Sequence, residues 1–123
     1  MDAKQMLCTA WALFALAAVG GLVMAAIRFG GNRNPPAWLA FGHGLLAAAG
    51  LTLAAYAALT AGLSSLANIG VLLLVVAAAG GATLNLGYHW KQVPIPAGLT
   101  IGHILLAVTG FVLLGMDVLK AYA

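Results

Sequence analysis

Residues 36–50, PAWLAFGHGLLAAAG, return sixty positions later as residues 96–110, PAGLTIGHILLAVTG. The proline, alanine, first leucine, Gly-His pair, Leu-Leu-Ala and final glycine recur in register. The relation extends upstream, where Ala17-Ala18 and Gly20-Gly21 correspond to Ala77-Ala78 and Gly80-Gly81 at the same offset. An internal repeat restricts the architecture before any single residue is read, because both copies must adopt one supersecondary unit and pack against each other. Here each copy also carries one histidine, His43 and His103, at the same place in an apolar run.

The chain's solvent follows from its composition. Of 123 residues, 64% are hydrophobic and 6% are charged, against about 25% charged in a soluble domain. The whole chain therefore reads as embedded in a membrane. Five basic and two acidic residues give a net charge of +3, too small an excess to argue for nucleic acid. The only cysteine, Cys8, excludes an intrachain disulfide and reads as a small buried hydrophobe. The first apolar run is too long for a secretory signal and no polar domain follows it, so it is expected to stay as a membrane-spanning helix.

Four such runs divide the chain. Residues 5–29 hold no charge before Arg28 and exceed the roughly 20 apolar residues that a bilayer demands. Residues 29–35 read as a loop, 36–60 as helix 2, 61–64 as a tight turn, 65–89 as helix 3 and 90–94 as the next loop. Helix 4 is expected from about Pro96 to Lys120. Pro36 suits a first turn, since its missing N–H costs nothing there. Connections this short make successive helices antiparallel neighbours. The expected fold is an all-α, single-domain, up-down bundle of four transmembrane helices. It consists of two tandem hairpin repeats, about 5–60 and 65–120, related by a pseudo-twofold axis along the membrane normal. Arg28, Arg33 and Lys91 stand on the side of the 1–2 and 3–4 loops, whereas Lys4 and Lys120 on the other side are offset by Asp2 and Asp117. The positive-inside rule then puts both hairpin loops in the cytoplasm and the termini outside, in a bacterial inner membrane.

In this bundle helices 2 and 4 share a diagonal, so His43 and His103, each seven residues into its helix, meet at one depth in the centre. Gly21 and Gly81 reach the same level from the other corners and are expected to let a flat macrocycle come close. Two imidazoles facing across a bundle core suit the axial ligation of haem iron. Arg28 lies two turns beyond Gly21, and Tyr88 holds the same place after Gly81. Arg28 is the first candidate for the haem carboxylates, with Tyr88, Asn85, Arg33 and Lys91 as further ones. Thr100, three residues before His103, could orient that ring, as could a backbone carbonyl. His89, whose repeat counterpart is Phe29, has no partner at its depth and reads as an interfacial residue near a propionate or a quinone headgroup. Trp38, Tyr88 and Trp90 read as an aromatic belt. The simpler alternative is that an intramembrane histidine merely hydrogen-bonds a neighbouring helix and that the glycines only promote helix packing.

Four short-looped membrane helices with a Gly-His pair inside and glycines level with it resemble the membrane-integral b-type cytochromes. That group includes the haem-anchoring subunits of respiratory dehydrogenases and cytochrome b561-like proteins. The resemblance implies one non-covalent haem b held by His43 and His103; no CxxCH attachment motif is present. Typical diheme members have four suitable histidines, where this chain has two. The implied role is an electron-transfer subunit of a larger membrane redox complex, exchanging electrons with quinone or another haem protein. It is a non-catalytic subunit rather than an enzyme, since nothing here supports hydrolysis or group transfer. Two other classes stay open. One is a pigment-binding or structural subunit; the other is a small transporter that moves protons on its histidines.

Overall fold

A computed structural model describes Met1–Ala123 in full. The chain forms α1 (Ala3–Gly31), α2 (Ala37–Thr60), α3 (Ser65–Leu84) and α4 (Ala97–Tyr122), with α3 prolonged by a π-helical turn, Asn85–His89. All four helices are long and apolar enough to cross a membrane. The shortest uninterrupted α-helix apart from α3 has 24 residues. At about 1.5 Å per residue it spans about 36 Å, more than the ~30 Å of a hydrocarbon core. Only 20 of the 123 residues are buried within the chain, while Leu59, Phe41, Leu22, Leu72 and Leu105 lie well exposed on its outer surface. Water would not tolerate that apolar surface, and lipid satisfies it.

Local signals set the helix limits. Asp2 caps α1 through a reciprocal box: its carboxylate accepts from the Gln5 N–H at 2.8 Å, and the Gln5 side chain accepts from the Asp2 N–H at 3.0 Å. α1 thus starts two residues before the expected Gln5. It also runs on to Gly31, where Asn32 in the left-handed conformation (φ 47°) stops it. Pro36 and Pro96 sit as N-caps just outside α2 and α4 rather than within the first turn. Ser64 caps α3 by accepting from the Ala67 N–H. The largest departure from expectation is at the end of α3. The Trp90 N–H donates to the Asn85 carbonyl five residues back, at 2.7 Å, so the helix widens by one residue there. Such π-turns are frequent at functional sites.

α1 packs closely on α2 and α3 on α4, while α1 meets α4 and α2 meets α3 along two lighter seams. This is the expected square of two hairpins with α2 and α4 on one diagonal. Its two ends are built differently. The half nearer the termini holds the core, with Leu7, Ala10, Phe14, Ala54, Ala57, Ala67, Val71, Leu74, Leu114 and Val118 in mutual contact. Glycines bring the helices together there. A Cβ on Gly50 would fall 3.1 Å from the Ala10 carbonyl oxygen, and one on Gly110 would fall 2.9 Å from that of Gly70. These contacts are themselves related by the sixty-residue repeat. At the loop end, the core gives way to the histidines and a cavity.

Candidate functional site

Each histidine is fixed by its own hairpin. His43 on α2 hydrogen-bonds through Nδ1 to the Ala17 carbonyl of α1 at 2.7 Å, and His103 on α4 does the same to Ala77 of α3 at 2.8 Å. A carbonyl can only accept, so Nδ1 carries the proton in both rings. A neutral imidazole so fixed has its lone pair on Nε2, the arrangement that a histidine ligand requires. Neither Nε2 has a hydrogen-bond partner in the fold, whereas both Nδ1 atoms do. A helical carbonyl already receives its own intrahelical bond, and its second lone pair is what the ring uses.

The two rings meet at the bundle centre with centroids 6.2 Å apart and planes inclined by 75°. Metal–imidazole bonds of about 2 Å, with about 1 Å more from ring nitrogen to centroid, put two rings that share one metal about 6 Å apart. The inclination carries no conflict, because two rings that share one metal need not be coplanar. The distance also falls within the ~4.5–7 Å of an ordinary aromatic contact. Open space lies beside the rings. A cavity of about 810 Å³ touches both histidines, large enough for an organic cofactor on the scale of ligand pockets, ~300–1,000 Å³. It runs along the α2–α3 seam towards the loops. Exposed Trp38, Phe41, Leu45 and Leu86 stand among its lining residues, so it opens on the outer face of the bundle. Its lining is mostly apolar, with Arg28, Asn85, His89 and Thr100 as polar exceptions.

The expected site residues separate into two groups. His43, His103, Arg28, Asn85, Thr100 and Gly81 all border the cavity. Gly21 and Tyr88 do not. The glycine expectation is refined. Gly20 and Gly21 face the ring of His43, and Gly80 and Gly81 face that of His103; a Cβ on Gly21 or Gly81 would fall 3.2 or 3.0 Å from the respective Cε1. The double glycines thus make room for the imidazoles themselves, which allows each ring to lie against the neighbouring helix and reach its carbonyl. Thr100 is corrected: its hydroxyl donates to the Pro96 carbonyl at 2.9 Å, and the backbone of Ala77 orients His103 instead.

His89 stands at the loop end, beside Trp90, and turns into the fold. It is 6% exposed, the one buried polar side chain of the chain, with Nε2 bonded to the Pro35 carbonyl at 2.7 Å. It belongs to a clasp between the two loops. Arg28 donates from Nε to the Ile95 carbonyl at 2.8 Å, and Asn34 donates to the Val93 carbonyl and accepts from the Ile95 N–H. The clasp closes the loop end of the cavity. Arg33 lies outside the cavity, in a separate polar pocket.

The sequence reading did not identify the Ala17 and Ala77 carbonyls, although the recurrence of Ala17-Ala18 as Ala77-Ala78 marked those positions. Nor did it identify Gly44, Ala47, Ala48 and Leu51, the small and apolar wall of the cavity. No group of three or more His, Cys, Asp or Glu side chains gathers anywhere in the fold, so a chelate built from protein ligands alone is not on offer. No protein-family model, curated protein or solved structure matches this chain.

Proposed function

We propose that this integral membrane protein binds one haem b between His43 and His103 and serves as an electron-transfer subunit of a membrane redox complex. One observation carries the proposal. Two imidazoles, each anchored through Nδ1 to a backbone carbonyl, meet across the bundle with unpartnered Nε2 atoms, centroids 6.2 Å apart, beside an apolar cavity. His43 and His103 would hold the haem through Nε2, and the group would supply one-electron chemistry rather than a site for substrate.

The protein's own part is positional. The carbonyls of Ala17 and Ala77 fix the tautomer and angle of the ligands, and the double glycines give the rings room. The apolar lining excludes water and favours the less charged state of a bound redox centre. Asn85 stands where a carboxylate directed at the loop end would meet a donor, and Arg28 borders the same space with its positive charge. In the orientation we propose, the basic loop end faces the cytoplasm. Partners in electron exchange are a quinone of the bilayer or another haem protein.

The test is the colour of the purified protein. The expected result is a reduced-minus-oxidised spectrum of a low-spin b-type haem, lost or turned high-spin in His43→Ala and in His103→Ala. A colourless protein from haem-sufficient cells defeats the proposal and favours transport or scaffolding. Long-wavelength absorption points instead to a magnesium-containing pigment.

A further inference from the structure

Another pocket of the protein lies in the loops. It measures about 330 Å³ and is lined by Arg28, Asn32, Arg33, Asn34, Gln92 and Pro94, with no hydrophobic residue other than the proline ring. We propose that it holds the phosphate of an anionic membrane lipid, gripped by Arg33 and by the free face of Arg28.

Charge gives the first argument. Both acidic residues are at the opposite end of the bundle: Asp2 caps the start of α1, and Asp117, near the end of α4, accepts from the Ser64 hydroxyl. The two arginines therefore have no carboxylate within their half of the protein. Hydrogen bonding gives the second. The side-chain oxygens of Asn32 and Asn34 are already taken, by Arg28 Nη1 at 3.1 Å and by the Ile95 N–H at 3.1 Å. Arg28 has spent Nε on the Ile95 carbonyl and one Nη1 hydrogen on Asn32, which leaves Nη2 to donate. Gln92 donates its amide to the His89 carbonyl at 3.2 Å and keeps the one unspent side-chain oxygen of the pocket. Two guanidinium groups against that single acceptor make a setting for an anion.

Backbone shape gives the third. Arg33 folds back along the end of α1, its Cγ, Cδ and Nε passing within 3.4–3.8 Å of the place a Gly31 Cβ would occupy. Asn32 and Gln92, both at positive φ (47° and 57°), turn their loops into the two walls. Location selects the source of the anion. The pocket lies at the ends of membrane-spanning helices, level with exposed Trp38 and Trp90, where lipid phosphates lie. A guanidinium fork matches phosphate geometry better than an ammonium does.

The experiment uses the full-length protein in nanodiscs of phosphatidylcholine with a minor fraction of phosphatidylglycerol, followed by native mass spectrometry of the lipids it retains. The expected result is preferential retention of phosphatidylglycerol, reduced several-fold in Arg33→Gln and unchanged in Lys91→Gln. The second variant removes the same charge from the same end but from outside the pocket. Arg33→Lys is expected to retain less than wild type and more than Arg33→Gln. Equal retention of both lipids overturns the proposal, as does an equal loss in the two glutamine variants, which reduces the effect to general surface charge. Binding of inorganic phosphate without retention of phosphatidylglycerol also overturns it. Arg33 does not line the apolar cavity, so a haem spectrum recorded in parallel separates failure of this site from failure of the cofactor site.

Discussion

Along the α2–α3 seam stand Gly44, Ala48, Leu51 and Ala82, all on the wall of the cavity. At the positions that the repeat makes equivalent, along the α4–α1 seam, stand Ile104, Val108, Phe111 and Leu22, none of which lines it. Phe111 also stacks on Trp11 with ring centroids 5.2 Å apart, and its carbonyl accepts from the Trp11 indole at 3.2 Å. Duplication thus supplied two equivalent histidines with equivalent anchors, and side-chain volume then opened one seam and filled the other. Towards the loop end the size difference reverses, with Trp38, Asn85, Leu86 and Trp90 equivalent to Gly98, Ala25, Ala26 and Gly30. The centre of the protein is two-fold; its access is one-sided.

The most severe way to break this comparison is to make the open seam like the closed one. The triple variant Gly44→Ile, Ala48→Val, Ala82→Leu leaves both Nδ1 anchors in place and fills the cavity. Its haem content is expected to fall at least about tenfold, the effect of some 1.4 kcal/mol of steric conflict, with helicity by circular dichroism unchanged. Normal haem loading would show that the seam is not the binding space. Next comes the packed half. A Cβ at Gly110 would lie 2.8 Å from Leu74 Cγ and 2.9 Å from the Gly70 carbonyl. Gly110→Ala is therefore expected to cost about 1–3 kcal/mol by overpacking, read by unfolding in mixed micelles, with the haem spectrum intact.

His89→Ala sharpens the contrast between the central histidines and the third one. It removes a buried bond to Pro35, at an expected cost of about 1–3 kcal/mol, while the low-spin spectrum persists; its loss would make His89 a ligand. The smallest effect is expected at the glycines behind the rings. Gly81→Ala and Gly21→Ala must each shift an imidazole by a few tenths of an ångström, Gly81 more, since its Cβ would come closer. The expected readout is a change in the electron paramagnetic resonance of the haem and less than about 1 kcal/mol in stability. Identical spectra in both variants would mean that the rings have slack.

Most of the architecture was legible in the residues. Apolar runs of helical length between Pro36, Gly62 and Pro96 allow little besides a four-helix bundle, and the sixty-residue offset aligns His43 with His103. The anchors were not legible, because Ala17 and Ala77 act through main-chain oxygen, which leaves no side-chain signature. The glycines were legible, but their contact with the imidazoles was not. Depth along a helix follows from counting, but the face a glycine offers depends on how tightly its own hairpin closes. The widened turn at Asn85–His89 has no composition of its own, and only the reach of His89 to Pro35 explains its use.

Each ring is braced from within its own hairpin, α1 bracing α2 and α3 bracing α4. Either half of the molecule can therefore insert into the bilayer with its histidine already aimed, before the other half arrives. Assembly then reduces to the meeting of two prefabricated jaws, and an iron macrocycle caught between them would act as the rivet that holds the pair shut.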